Sequence, residues 1–230
     1  MTLYDTWMAR GFGPLLTLVA VLAISACARP AGGSQSPAVG PTPVPEPPSV
    51  QNLPGRGIQV DGQGTTQTED LVPQYAGGLT IGIDVVTLTH DGRSSFIVTA
   101  VQGDQSELVT SAIGAYRGQR PLVVEGPVSF HVTADGAWSL KIQPMSNGGT
   151  PNFSGNGDAV SAYFNPPAPT TWSVSHDGTT SFLVSAHCLG GSVVVESATG
   201  AVQDTPRIEF ARGPCFWEVR GDGAWSLQPQ

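Results

Sequence analysis

"DGAWSL" at Asp135–Leu140 recurs letter for letter at Asp222–Leu227. Around it, "GPVSFHVTADGAWSL" (Gly126–Leu140) returns as "GPCFWEVRGDGAWSL" (Gly213–Leu227), offset by 87. Further upstream "HDGRSSFIV" (His90–Val98) returns as "HDGTTSFLV" (His176–Val184), offset by 86. Gly114 matches Gly200 at the smaller offset, so one residue is inserted after Gly200. The match runs from about Val85 to Gln143 and from about Thr171 to Gln228, which identifies an internal duplication.

Within each copy apolar and polar residues alternate. Phe96, Val98 and Ala100 share one face, as do Val128, Phe130 and Val132, then Trp138, Leu140 and Ile142. The second copy repeats this with Phe182, Val184 and Ala186, with Cys215, Trp217 and Val219, and with Trp225 and Leu227. A period of two marks strands with one buried side. Asp-Gly pairs at 91–92, 135–136, 177–178 and 222–223 are expected to form tight hairpins, because Gly tolerates positive φ. About six strands per copy and no helix are expected, giving two tandem antiparallel β-sandwich modules. A single sandwich with one copy per sheet is the weaker alternative, since each copy has strands enough for two sheets.

Composition narrows the function. Charged residues make up 12% of the 230, the formal net charge is −8, and Lys141 is the one lysine among ten basic side chains. That balance argues against nucleic-acid binding, which needs clustered Lys and Arg to displace counterions. It argues equally against electrostatic docking on anionic headgroups. Gly (29) and Pro (20) are abundant, as turn-rich β proteins require.

The N-terminus has its own logic. Arg10 precedes an apolar run ending in "LAISAC" (Leu22–Cys27), and from Leu15 to Ala26 that run is 12 residues. A membrane-spanning helix needs about 20, so residues 1–26 are expected to be a signal peptide. Met8, followed by "ARGF", makes a more typical charged start than "MTLYDTW". The stretch "ISAC" resembles the lipobox of bacterial lipoproteins, with Ile24, Ser25 and Ala26 before Cys27. The resemblance implies that the Cys27 thiol is acylated, as with palmitate, and becomes the new N-terminus. Each buried CH₂ contributes about 0.8 kcal/mol, so two or three acyl chains hold a protein firmly on a membrane. The other reading is that "ACA" (Ala26–Ala28) is an A-x-A site releasing a free secreted protein.

Residues 27–57 carry eight prolines between Ala28 and Gly57, including "PTPVPEPP". This composition favours polyproline II and a disordered, semi-rigid stalk, the modules then occupying 58–146 and 147–230. With Cys27 acylated, Cys188 and Cys215 remain, both on the inward parity of the second module. Extracytoplasmic conditions are oxidising, so they are expected to form a disulfide closing 26 intervening residues, contributing on the order of 3 kcal/mol. The first copy has Gln102 and Val128 at the matching places.

The sequence contains no H-E-x-x-H, C-x-x-C, G-x-S-x-G or phosphate loop. His90 and His176 lead into Asp-Gly turns and are expected to bond turn backbone, because one imidazole and one carboxylate per turn fall short of a zinc site. Asp135 and Asp222 stand almost alone, unlike the ligands of a calcium loop. No metal or other cofactor is therefore expected. His131 and His187 fall on the outward face and are expected to be solvated. "RGD" at Arg220–Asp222 is too short a motif to carry weight. Trp138, Trp172, Trp217 and Trp225 have core parity, which leaves Tyr75, Tyr116, Tyr163 and Phe164 as candidate ligand contacts.

Beyond the leader, the "HDG…F…V" and "DGAWSL" pattern resembles repeated β-modules of secreted bacterial proteins. The expectation is a lipid-anchored extracytoplasmic protein that binds or scaffolds at the cell envelope without catalysis. Its partner would be an envelope protein or a glycan. A carbohydrate-binding module relying on Tyr116 and Tyr163 is one alternative. An enzyme whose site brings His131, His187 and Glu218 together from both modules is another.

Overall fold

A computed structural model describes residues 46–73 and 82–230. The signal peptide, Cys27, Tyr75 and most of the Pro-rich stretch lie outside the described residues. The first module contains β1 (Ser49–Asn52), β2 (Ile58–Gln63), β3 (Thr66–Gln67), β4 (Gly82–His90), β5 (Ser95–Gln102), β6 (Gln105–Ile113), β7 (Tyr116–Val124), β8 (Ser129–Thr133) and β9 (Ala137–Pro144). The second contains β10 (Phe153–Asn156), β11 (Ala159–Val160), β12 (Thr170–His176), β13 (Ser181–Cys188), β14 (Gly191–Thr199), β15 (Val202–Asp204), β16 (Arg207–Ile208), β17 (Cys215–Arg220) and β18 (Ala224–Pro229). All pairings are antiparallel.

In the first module a sheet of order β1-β2-β9-β4-β7 packs on one of order β3-β8-β5-β6. The second module repeats this with β10-β18-β12-β15, β16 also pairing with β12, against β11-β17-β13-β14. Each copy encloses its own core, so the one-copy-per-sheet alternative falls. Val86, Leu88, Phe96, Val98, Phe130 and Leu140 are buried in the first, and Trp172, Val174, Phe182, Val184, Trp217 and Leu227 in the second. Each such Val, Leu or Phe side chain contributes roughly 1.5–3 kcal/mol of burial. The alternation that marks these strands is the physical cause of the layers: one row per strand leaves water together.

Three expectations change. Strand β1 pairs with β2 from Ser49↔Asp61 to Asn52↔Ile58, so the ordered structure begins before Gly57. The duplication also reaches further upstream: Val60 and Gly62 oppose Leu140 and Trp138, as Phe153 and Gly155 oppose Leu227 and Trp225. "VDGQG" and "FSGNG" are thus equivalent strands sharing two glycines. Each indole lies against the first glycine and donates Nε1–H to the carbonyl of the second, Gly64 at 3.0 Å and Gly157 at 2.8 Å. Strands β2, β3, β10 and β11 therefore add to the six expected per copy. The extra residue of the second copy lies between Ile208 and Cys215, since Ile208 faces Thr170 as Leu122 faces Asp84.

The third change concerns the Asp-Gly pairs, which are not hairpins. Residues 91–92 carry the chain from β4 to β5 and 135–136 carry it from β8 to β9, each time between sheets. Of the four glycines only Gly223 has positive φ, at 76°. The turns clasp each other instead. Asp91 accepts Ala137 N–H at 2.7 Å, while Asp135 accepts the N–H groups of Arg93 and Ser94, both at 3.0 Å. In the second module Asp177 accepts Ala224 N–H at 2.6 Å. Asp222 accepts both the N–H and the hydroxyl of Thr179 and Thr180. These donated hydrogens hold the carboxyls of Asp135 and Asp222 below the usual carboxylate range, the Arg93 N–H acting first on one and the Thr179 N–H on the other. A Cβ at Gly92 or Gly136 would run into the facing turn, so close approach rather than φ requires glycine there.

His90 and His176 bond turn backbone, as expected. Their Nδ1–H groups donate to the Gly114 and Gly200 carbonyls at 2.9 Å, and the rings stack on Phe96 at 4.6 Å and Phe182 at 4.2 Å. The repeated HDG and DGAW motifs therefore lock one end of each sandwich.

Candidate functional site: the cleft between the modules

The described residues of both sandwiches belong to one compact unit, and the two abut. Buried Met145, Val160 and Phe216 pack with Ile83, Val85 and Tyr163 across the junction. Strand β17 explains the facing surface. Cys215, Trp217 and Val219 point into its own core, which leaves Phe216, Glu218 and Arg220 on the side toward the first module.

From the first module comes Arg120. The inward row of β7 runs Gly118, Arg120, Leu122, Val124, and the two apolar residues enter the core. Arg120 instead occupies the open side between edge strands β6 and β7, only 7% exposed. Its Nε donates to Val109 O at 2.9 Å, and Nη1 lies 3.2 Å from Glu218 Oε1 and 3.9 Å from Asp158 Oδ2.

Glu218, 5% exposed, is saturated. Arg220 donates Nε–H and an Nη2 hydrogen to Oε1, both at 2.8 Å, and His187 donates Nε2–H to Oε2 at 3.0 Å. Burial by itself raises the Glu218 carboxyl, but His187, Arg220 and Arg120 outweigh it and hold it at about 2. His187 stacks on Phe216 at 5.0 Å with Ser192 Oγ 2.9 Å from Nδ1, so it is not the solvated residue expected from parity. Asp158 completes the junction. It accepts Tyr116 O–H at 2.7 Å and Gly221 N–H at 2.9 Å, and its carbonyl accepts Gln119 N–H at 3.0 Å.

Above these groups opens a cavity of about 580 Å³. Leu108, Val109 and Val123 of the first module face Tyr163, Leu189 and Phe216 of the second, with Arg120, His187, Glu218 and Arg220 in the lining. A trough of about 830 Å³ continues along Leu108–Ile113 of β6 toward Thr180 and Asp222, sharing Leu108, Val109, Arg120 and Arg220 with the first. Leu108 is 59% exposed and Leu189 84%, large apolar side chains left in water at the cleft mouth. A mostly apolar cleft of several hundred Å³ with a few convergent polar groups is the form binding sites commonly take.

The structure sorts the expected site residues unequally. Cys188 and Cys215 are bonded, joining β13 to β17, and Cys188 borders the cleft. In the first module Gln102 ties the same strand position to the far end of β7 and beyond, its Nε2 donating to Val123 O and its Oε1 accepting Glu125 N–H, both at 2.8 Å. Tyr163 lines the cleft, edge-on to Phe216 at 5.7 Å, and burial raises its hydroxyl. Tyr116 is half-buried with its hydroxyl committed to Asp158; burial, then the Asp158 charge, push that hydroxyl up. Phe164 is not a surface contact: it is 2% exposed, stacked on Trp217 inside the second core. The four tryptophans with core parity are buried as well. His187 and Glu218 converge, but His131 does not join them; it is exposed on β8.

Arg120, Asp158, Leu108 and Leu189 escaped the sequence reading. Arg120 alone left a signal, as a charge on the core parity of "YRGQRPLVV". At the equivalent position of the second copy stands Pro206, as His131 stands for Glu218 and Thr65 for Asp158. The junction is built where the copies differ. No family model matches the chain, and no curated protein matches it.

Proposed function

We propose that the chain is a lipid-anchored extracytoplasmic protein that binds a partner at the bacterial cell envelope without catalysis, using the cleft between its modules. The observation that carries this reading is the cleft itself. Exposed Leu108, Val123 and Leu189 surround a floor whose charges already pair with one another. An acid–base residue needs a carboxyl near the working pH and a free oxygen, and Glu218 is held at about 2 with both oxygens engaged. That favours binding over chemistry. The lipobox-like "ISAC" and the Pro-rich stretch behind it support a tethered domain held off the membrane.

The test incubates the full chain, purified in mild detergent, with cell envelopes before and after protease treatment. Retention on untreated envelopes, lost after protease and lost with Leu189→Asp, is the expected result. Retention that ignores Leu189→Asp removes the cleft from the proposal, and retention surviving protease moves the partner from protein to glycan.

A further inference from the structure

Strand β6 ends the four-stranded sheet of the first module and, among the described residues, pairs as a strand only with β5. In an antiparallel edge, alternate residues aim N–H and C=O away from their neighbour, which leaves a template for another strand. Folded proteins commonly cover or blunt such an edge. Here it is blunted at one point, where Val109 forms a bulge opposite Val98 and Thr99 and its carbonyl accepts Arg120 Nε–H. On both sides of that point β6 runs along the cleft, Glu107 and Leu108 bordering the cavity and Thr110 to Ile113 the trough.

We infer that an extended peptide segment of another protein adds to the outer edge of β6, lying between the modules with apolar residues at alternate positions and basic residues flanking them. This rests on the binding role proposed for the cleft and names the chemistry of its partner. A strand edge offers backbone donors and acceptors in register, which an extended peptide matches and a sugar or small amphiphile does not. The nine residues of β6 span about 30 Å at roughly 3.3 Å each, long enough for a strand of seven to nine residues. Leu108, Val123 and Leu189 stand exposed where alternate side chains of the added strand would fall. Charge sets the flanks. Glu107 borders the cavity and Asp222 the far end of the trough, outside the paired charges of the floor and within a chain of net charge −8.

The test selects a phage-displayed library of random nonapeptides on the full chain in detergent micelles and synthesises the enriched peptides. The expected peptides alternate apolar residues, carry Lys or Arg, and slow hydrogen exchange of β6 amides. N-methylating the backbone at residues of one parity weakens binding about tenfold or more, and at the other parity changes it little. Leu189→Asp, on the facing module, also weakens binding, and near-UV circular dichroism confirms that the variant is folded. The inference is overturned if no peptide enriches, if exchange slows at β14 instead of β6, or if neither N-methylated parity matters. Envelope retention that still depends on Leu189 would then leave the cleft as a binding site while removing the added strand.

Discussion

Replacing Glu218 with glutamine takes one charge out of the module junction at nearly constant volume. The folded structure holds this carboxyl at about 2 against an ordinary 4.5, despite burial that by itself would raise it. At about 1.4 kcal/mol per pH unit, that depression corresponds to roughly 3 kcal/mol of stability. The sign follows from its direction. A carboxyl depressed by folding stabilises fully above its unfolded value and loses that contribution as pH falls through the folded one. Glu218→Gln should therefore be less stable than the parent by up to about 3 kcal/mol at pH 7, a fall in Tm of roughly 6–12 °C for a unit of this size. The gap should shrink between pH 4.5 and 2, to less than about 1 kcal/mol at pH 2.5. Urea denaturation followed by tryptophan fluorescence at both pH values measures it. A gap that stays constant with pH, or no gap at pH 7, would mean that the junction does not hold this carboxyl ionised. Arg120→Met added to Glu218→Gln should cost less than the two changes summed, because a buried guanidinium without its counter-ion is removed.

Asp222→Ala should lower Tm more than Asp135→Ala, because Asp222 accepts the Thr179 and Thr180 hydroxyls as well as their N–H groups, whereas Asp135 accepts the N–H groups of Arg93 and Ser94; differential scanning calorimetry of both variants checks the order. Gly155→Ala would place a Cβ 2.8 Å from the Trp225 ring, and should cost about 1–3 kcal/mol with a change in tryptophan fluorescence. Cys188→Ala with Cys215→Ala should cost about 3.5 kcal/mol by loop closure, read as a lowered urea midpoint; an unchanged midpoint contradicts it. Cys27→Ser should stop incorporation of labelled palmitate and move the chain from the detergent to the aqueous phase on Triton X-114 partition.

Legibility followed the kind of constraint. Strand faces were readable because burial of one face imposes a period of two: Phe96, Val98, Phe182 and Val184 are all in cores. The disulfide was readable because parity put Cys188 and Cys215 on the same side of neighbouring strands. The Asp-Gly turns were located but misassigned. Local chemistry makes hairpin and arch look alike, and only the facing turn shows that Asp91 and Asp135 bond across to it. Strands β2 and β10 were missed because two glycines and a packed indole preserve their structure with few identities. Phe164 looked like a loop aromatic because nothing in its neighbourhood announces the bridge to Cys215 that draws it inward.

The chain alone determined two antiparallel sandwiches, which strands face their cores and which cysteines meet, since alternation and duplication are properties of neighbouring residues. Tertiary structure decided how the two copies join. Arg120, Asp158, His187 and Glu218 stand far apart in sequence and have no counterparts of like charge in the opposite copy. Their pairing depends on one module's edge meeting the outward row of β17. Such a contact has no period. It is chosen by shape and by the cost of leaving buried charge unpaired, and both exist only once the sheets have packed.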